Sequence, residues 1–425
     1  MGWSPSAAER LALALVCAAY VLLRVLGIHH ADVLATPDTE GWMTLGWTVR
    51  PPVVPLLWKV CGDRPEAIAW LQFAISVSSW TILAVSVAAT VRAAAPRWLA
   101  LLVFLALSLN PDVALWDKVL MSESLSLSFL ALVASAWLGV SHRWTIPRAT
   151  GFTILCVCWC LCRDTNAWAG LGAAGIGGVL ACRPGQHRKR TLLLLVFVPL
   201  FAISSWTQDL GERWLSPLLN VLSTRVLTDP DRTGYFRAAG MPVTSALTAN
   251  AGQFAAELEQ AVPQPDFTAF RDWTRHEGKR VYARFLLEHP DVAFNVPLRN
   301  VERLLTLVEE SYQPRGFRAV LPAWLSEALY PERILLLALV YGSMVLLGAS
   351  VVGPSVRAHR LAGLGCLGVI LTYPQLVLAW HGDSMDPGRH ALGAGVELRL
   401  SCWALAFAWL DRPRWWSRRP SGGGT

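Results

Sequence analysis

The residues most able to do chemistry lie in short polar stretches between long apolar runs. Residues 36–42 read TPDTEGW, and Arg50 followed by PPVVP comes shortly after. Asp38 and Glu40 flank Thr39. In an extended stretch positions i and i+2 face the same way, which suits one general base with an orienting partner, or two carboxylates sharing a divalent ion such as Mg or Mn. A solvated loop carrying two acids is the plain alternative; Trp42, Trp47, Arg50 and three prolines argue instead for an ordered interfacial loop. Residues 110–124 read NPDVALWDKVLMSES and supply Asp112, Asp117, Lys118 and Glu123. Glu123 falls within the apolar start of the following run, where an acid needs a cavity or a partner. Arg163 and Asp164 sit between two further runs. The Arg163 guanidinium matches phosphate oxygens in a bidentate way, although the same residue could anchor a helix end to lipid headgroups. Residues 381–390, HGDSMDPGRH, bring Asp383, Asp386, Arg389 and His390 together in sequence. A metal set of His381, Asp383 and His390 matches no strong ligand spacing. Arg389 with His390 as a phosphate clamp competes with a headgroup anchor.

The elements that must position these residues are membrane helices. Hydrophobic residues make up 54% of the 425 and charged residues 16%, with 21 Trp against 7 Tyr; a soluble domain carries about 25% charged residues. Apolar runs lie near 8–28, 67–91, 97–111, 120–140, 149–162, 166–182, 191–207, 332–352, 361–380 and 391–410, several of them long enough for about 30 Å of hydrocarbon. The expected fold is therefore all-α, a polytopic transmembrane bundle of about ten spans. The arginines set its orientation. With the N-terminus cytoplasmic, the inner segments hold Arg10; Arg92 and Arg97; Arg143 and Arg148; Arg183, Arg188, Lys189 and Arg190; Arg357 and Arg360; and Arg412, Arg414, Arg418 and Arg419. Every short inner segment is basic, which is the positive-inside pattern, and both termini are expected in the cytoplasm. The net charge of +7 is then mainly a topology signal and implies no nucleic-acid partner. The run from Leu11 to Leu26 lacks a convincing small-residue cleavage site and is read as the first membrane helix.

The chain divides into an N-terminal membrane bundle (1–207) with the first-loop acids, a small helical extracytoplasmic domain (208–331), C-terminal membrane helices (332–410) and a basic cytoplasmic tail (411–425). In the outer domain, 246–261 and 266–287 are rich in helix formers, and Pro297 opens an amphipathic stretch with Val301, Leu304, Leu305 and Val308 at helical spacing. PDRTG at 230–234 and QPRG at 313–316 read as irregular connections. Of nine cysteines, Cys156, Cys158, Cys160 and Cys162 alternate on one helix; neighbours in that series point about 200° apart, which excludes a metal cage. Residues 170–175, GLGAAG, match the dinucleotide fingerprint, but no strand precedes them. Gly170, Ala174 and Gly178 instead form a small-residue stripe for close helix packing. No Walker sequence, serine-nucleophile elbow or zinc-protease motif is present.

The first-loop acid, the RPPVVPLL element from Arg50, the LMSE sequence ending at Glu123 and the late turn ending in Arg389 and His390 together resemble the GT-C superfamily of membrane glycosyltransferases. Residues 234–242 (GYFRAAGMP) and 285–290 (FLLEHP) resemble segments of uncharacterised bacterial relatives. The resemblance implies a sugar donor on a polyprenyl phosphate and a cell-envelope glycan, lipid or protein as acceptor on the outer face. It also implies inversion at the sugar carbon. Asp38 corresponds to the first-loop acid of such enzymes and would serve as base; Glu40 matches less well and would bind a divalent ion. In such a scheme Glu123 is the further catalytic acid, and Arg163, Arg389, Arg50 and His390 offset charge on the departing phosphate. Arginine and alanine usage with little lysine fits a bacterium with a GC-rich genome, hence a plasma membrane.

Two other classes fit a polytopic chain. A transporter or flippase for a lipid-linked substrate should put ionisable residues at the midplane and carry repeated halves; only Glu397 and Arg399 lie well inside a run, and no repeat is visible. A non-catalytic membrane partner of a cell-envelope enzyme would tolerate neutralising Asp38, Glu123 and Arg389.

Overall fold

Each apolar run folds as a helix because, without water in the hydrocarbon layer, only intra-segment hydrogen bonds satisfy the backbone. The computed structural model describes residues 5–46, 48–180, 187–306, 312–350 and 360–411. Helices occupy the described part of each of the ten apolar runs, and no strand occurs among the described residues. Among the described residues six helices are long and apolar enough to cross a membrane: Ala7–Ile28, Pro65–Thr90, Glu123–His142, Thr191–Leu210, Arg360–Gly382 and Pro387–Leu410. Two bent pairs raise the number to eight, Ala94–Ser108 with Pro111–Lys118 (63°) and Ala323–Leu329 with Ile334–Gly348 (52°). Asn110 explains the first bend, since its side chain accepts from the Asp112 amide and restarts the helix at Pro111. Ile146–Cys160 has 15 residues and reaches only about 22 Å at 1.5 Å per residue.

Local chemistry sets the helix ends. Ser6 and Glu9 form a reciprocal capping box at the start of Ala7–Ile28. Hydroxyls inside apolar helices return to the carbonyl one turn back, as at Ser79 to Ile75 and Thr81 to Val77, or pair across helices, as Ser86 with Ser135 at 2.6 Å. GLGAAG lies in the helix Asp164–Leu180. A Cβ on Gly170 would stand 2.4 Å from the Phe197 ring, and Ala174 is fully buried, as close packing requires. The side-chain surroundings of Gly178 lie outside the described residues. Described cysteines are all free; Cys156, Cys160 and Cys162 are buried.

The chain splits into two units: Met1–Ser204 with Glu310–Thr372 and Gly393–Thr425, and Ser205–Glu309 with Tyr373–Leu392. In the first, Pro65–Thr90 packs against Ala94–Ser108 and Glu123–His142, which packs in turn against Ile146–Cys160. The turns sort into two sets. Asp32 bonds Arg315, Leu34 bonds Lys118, Val53 bonds Leu161, and Asn110 bonds Ser326. At the other helix ends, Asp411 accepts from the Arg92 and Ala93 amides. Within this unit the segments that the arginine pattern assigns to one side meet only one another in these bonds. Arg183, Arg357, Arg412, Arg414, Arg418 and Arg419 lie outside the described residues. QPRG at 313–316 is an irregular connection, with Gly316 at φ +78° against the His30 carbonyl.

In the second unit Phe236, Phe270, Leu222 and Leu258 are fully buried in one core. Two local expectations are corrected. PDRTG opens a helix, Pro230–Ala238, because Asp229 caps the Asp231 and Arg232 amides and Pro230 needs no amide partner. The 246–261 stretch breaks between Ala249 and Ala255, where Gly252 takes φ +96°. Leu304 and Leu305 are buried as their spacing predicts; Val308 lies outside the described residues.

Candidate functional site

The turn from Leu115 to Glu123 is the centre of the first unit's polar layer, and its neighbours hold it from several directions. Gln72, fully buried on Pro65–Thr90, donates to the Val119 and Asp117 carbonyls at 3.0 and 3.3 Å. Leu34 forms a parallel bridge with Val119, and the Thr39 hydroxyl donates to the Leu120 carbonyl at 3.0 Å. The first loop is thereby fixed on the second. Asn166 fixes the third by donating to the Ser126 hydroxyl and the Trp159 carbonyl, both at 2.8 Å.

This scaffold brings the expected acids and arginines together in pairs. Arg50 Nη2 donates to Asp38 Oδ1 at 2.7 Å, and its guanidinium lies 4.9 Å from the Trp42 ring centre. Arg163 Nη1 lies 3.3 Å from Glu123 Oε1. The pairs differ in access. Asp38 and Arg50 are 38% and 31% exposed, whereas Glu123 is 1% and Arg163 12% exposed. Glu123 opens the helix Glu123–His142, where the helix dipole favours a carboxylate.

Asp38 and Glu40 do not share a face. Asp38 has helical angles (φ −74°, ψ −19°) and Glu40 sits in the first turn of Thr39–Met43, so their side chains diverge by about 200°. Glu40 is exposed. The extended geometry fails because Thr39 folds back: its hydroxyl accepts from the Thr36 amide at 2.8 Å, a local turn that starts the helix. The prolines after Arg50 likewise open a helix, Val53–Val60. Trp47 lies outside the described residues. Among the described residues no group of three His, Cys, Asp or Glu side chains is gathered as a metal set.

The other two expected phosphate ligands belong to the second unit. Arg389 Nε lies 3.7 Å from Asp386, and His390 Nε2 lies 3.7 Å from Asp383. Asp383 also accepts from Asn220 Nδ2 and the Met385 amide, both at 2.9 Å. Burial by itself would raise the Asp383 carboxyl, but these bonds outweigh it and hold it below the usual carboxylate range. His381 is turned elsewhere, with Nδ1 2.8 Å from the Tyr282 hydroxyl and Nε2 3.0 Å from the Ala293 carbonyl. The three-residue metal set of His381, Asp383 and His390 is thus not assembled.

Asp117 and Lys118 stand out in the sequence, but Arg24, the buried charge that Asp117 meets, does not. Arg24 pairs with Asp117 and donates to the Ser108 carbonyl and to Ser76 Oγ at 2.9 Å. Ser124 donates to the other Asp117 oxygen at 2.7 Å. Both charged side chains are essentially inaccessible, at 1% and 0%. The signal was available: an arginine inside an apolar run must find a partner. Lys118, also buried, reaches Glu66 at 3.5 Å and lies over the Trp70 ring at 5.3 Å.

Chemically, a half-exposed carboxylate held by one guanidinium, beside a buried acid and arginine, can orient a hydroxyl and meet an anionic group by exchange at the arginines. No family profile, curated protein or solved structure matches the chain.

Proposed function

We propose that this multi-pass membrane protein is a glycosyltransferase of the GT-C type, moving a sugar from a polyprenyl-phosphate donor to an acceptor outside the cytoplasm with inversion at the sugar carbon. The observation that carries the reading is the pair of acid–arginine couples, Asp38 with Arg50 and Glu123 with Arg163, on loops bonded to one another. Asp38 is the accessible acid and takes the acceptor's proton; Glu123, sealed from solvent, acts through Arg163 as a positioning residue. Arg50 and Arg163 offset charge on the departing phosphate, a role that preorganised cations serve in a dry site. Glu40 is left to a divalent cation in this scheme. The protein would have ten spans, cytoplasmic termini and an outer domain over 208–331, in a bacterial plasma membrane.

The test is transfer of radiolabelled sugar from a panel of polyprenyl-phosphate sugars by purified protein in native-like lipid. Wild type should turn over one donor, and Asp38→Asn should lower the rate by about 10² or more, the usual contribution of a general base. Absence of turnover, or turnover indifferent to Asp38→Asn, moves the protein to a lipid-linked substrate transporter or a non-catalytic partner.

A further inference from the structure

The second unit holds a small cleft whose polar wall is formed by Arg225, Arg232, Tyr282 and His381 and whose apolar wall includes Trp380 and Val296. Arg225 is its unusual member. It donates to the Trp380 carbonyl, its guanidinium lies 4.0 Å from the Trp380 ring centre, and no carboxylate among the described residues comes within 4.0 Å. Asp383, the acid that acts on it from a distance, has its oxygens engaged by Asn220, the Met385 amide and His390. Burial, with smaller repulsion from Arg303 and Arg232, pulls Arg225 down to about 10. A part-buried guanidinium has five N–H donors, and among the described residues only one of them has an acceptor here. Leaving such a charge uncompensated is costly, so sites of this kind are completed by an anion.

The hydroxyl opposite has a defined polarity. The Ala293 carbonyl can only accept, so His381 Nε2 donates to it and Nδ1 accepts the Tyr282 proton. The Tyr282 oxygen is then available as an acceptor for a ligand hydroxyl.

We propose that this cleft binds a small phosphate ester, its oxyanion on Arg225 and Arg232 and its ring or apolar body against Trp380 and Val296. The inference does not depend on the transferase reading, because it concerns other residues in the other unit.

The test is calorimetric titration of the purified full chain with phenyl phosphate. Wild type should bind one equivalent. Arg225→Gln should weaken binding by about tenfold or more, the scale of a lost hydrogen bond between charged groups. Val296→Trp should block the cleft with Arg225 retained, and Arg280→Gln, an exposed arginine of the same unit outside the cleft, should leave the affinity unchanged. Should Arg225→Gln fail to fold, Val296→Trp decides. Absence of saturable binding to wild type, or an affinity indifferent to the cleft variants or lost equally in Arg280→Gln, overturns the proposal. Competition by dilauroyl phosphatidic acid in the micelle assigns the site to lipid phosphates; failure to compete, with phenyl phosphate still bound, assigns it to soluble phosphate esters.

Discussion

Breaking the Arg24–Asp117 pair should be the most damaging small change in the membrane unit. Both charges are inaccessible to solvent, and four helices contribute to the network: Arg24 from Ala7–Ile28, Ser76 from Pro65–Thr90, Ser108 from Ala94–Ser108 and Ser124 from Glu123–His142. Asp117→Leu leaves Arg24 with two neutral partners and no counter-charge. Removing one member of such a pair costs about 3–5 kcal/mol, a large part of the roughly 5–15 kcal/mol that holds a typical protein folded. Arg24→Met alone should cost a similar amount. The double variant removes both charges and keeps most of the volume, and should recover most of the loss, since replacing a whole buried pair by apolar groups is near neutral or stabilising. Ser124→Ala, which removes one bond to the carboxylate, should cost about 1.5–3 kcal/mol. The assay is equilibrium unfolding in mixed micelles, with the four chains forming a double-mutant cycle. A coupling below about 0.5 kcal/mol, the size found for independent sites, would refute the reasoning, as would a double variant as unstable as the sum of the singles.

Three further outcomes follow from particular contacts. Gly170→Ala puts a methyl 2.4 Å from the Phe197 ring and should destabilise by about 1–3 kcal/mol through overpacking; Gly175→Ala meets nothing within 4 Å and should be neutral or slightly stabilising, both read from thermal unfolding midpoints. Phe236→Ala empties a fully buried ring position in the second unit and should cost about 3–5 kcal/mol, measurable by denaturant unfolding. Asp383 has its carboxyl held below the ordinary value of 3.8, so its contribution is fully present above that pH and is lost as pH falls through the depressed value; unfolding midpoints of wild type and Asp383→Asn should therefore converge in acid, and a gap that is constant with pH would contradict this.

The sequence by itself determined that the chain is a bundle of apolar helices, because helix formation in hydrocarbon depends on each segment's own hydrogen bonds and not on its neighbours. It also marked out Asp38, Glu123, Arg50 and Arg163, since charge near a span end stands out against an apolar background. Local turn chemistry was less readable: Asp38 and Glu40 look alike in sequence, and only the Thr39 hydroxyl bonds to Thr36 and Leu120 turn one toward Arg50 and leave the other in solvent. Asp229 likewise converts an apparent loop at Pro230 into a helix start. Pairing was the province of the tertiary structure. Arg24 and Asp117 are 93 residues apart, and Glu123 and Arg163 meet only because Asn166 and Gln72 fix two turns on neighbouring helices. The cleft around Arg225 draws its walls from residues far apart in the chain. Such contacts depend on which helix faces pack together, a collective property of the folded chain that composition and spacing along one segment do not encode.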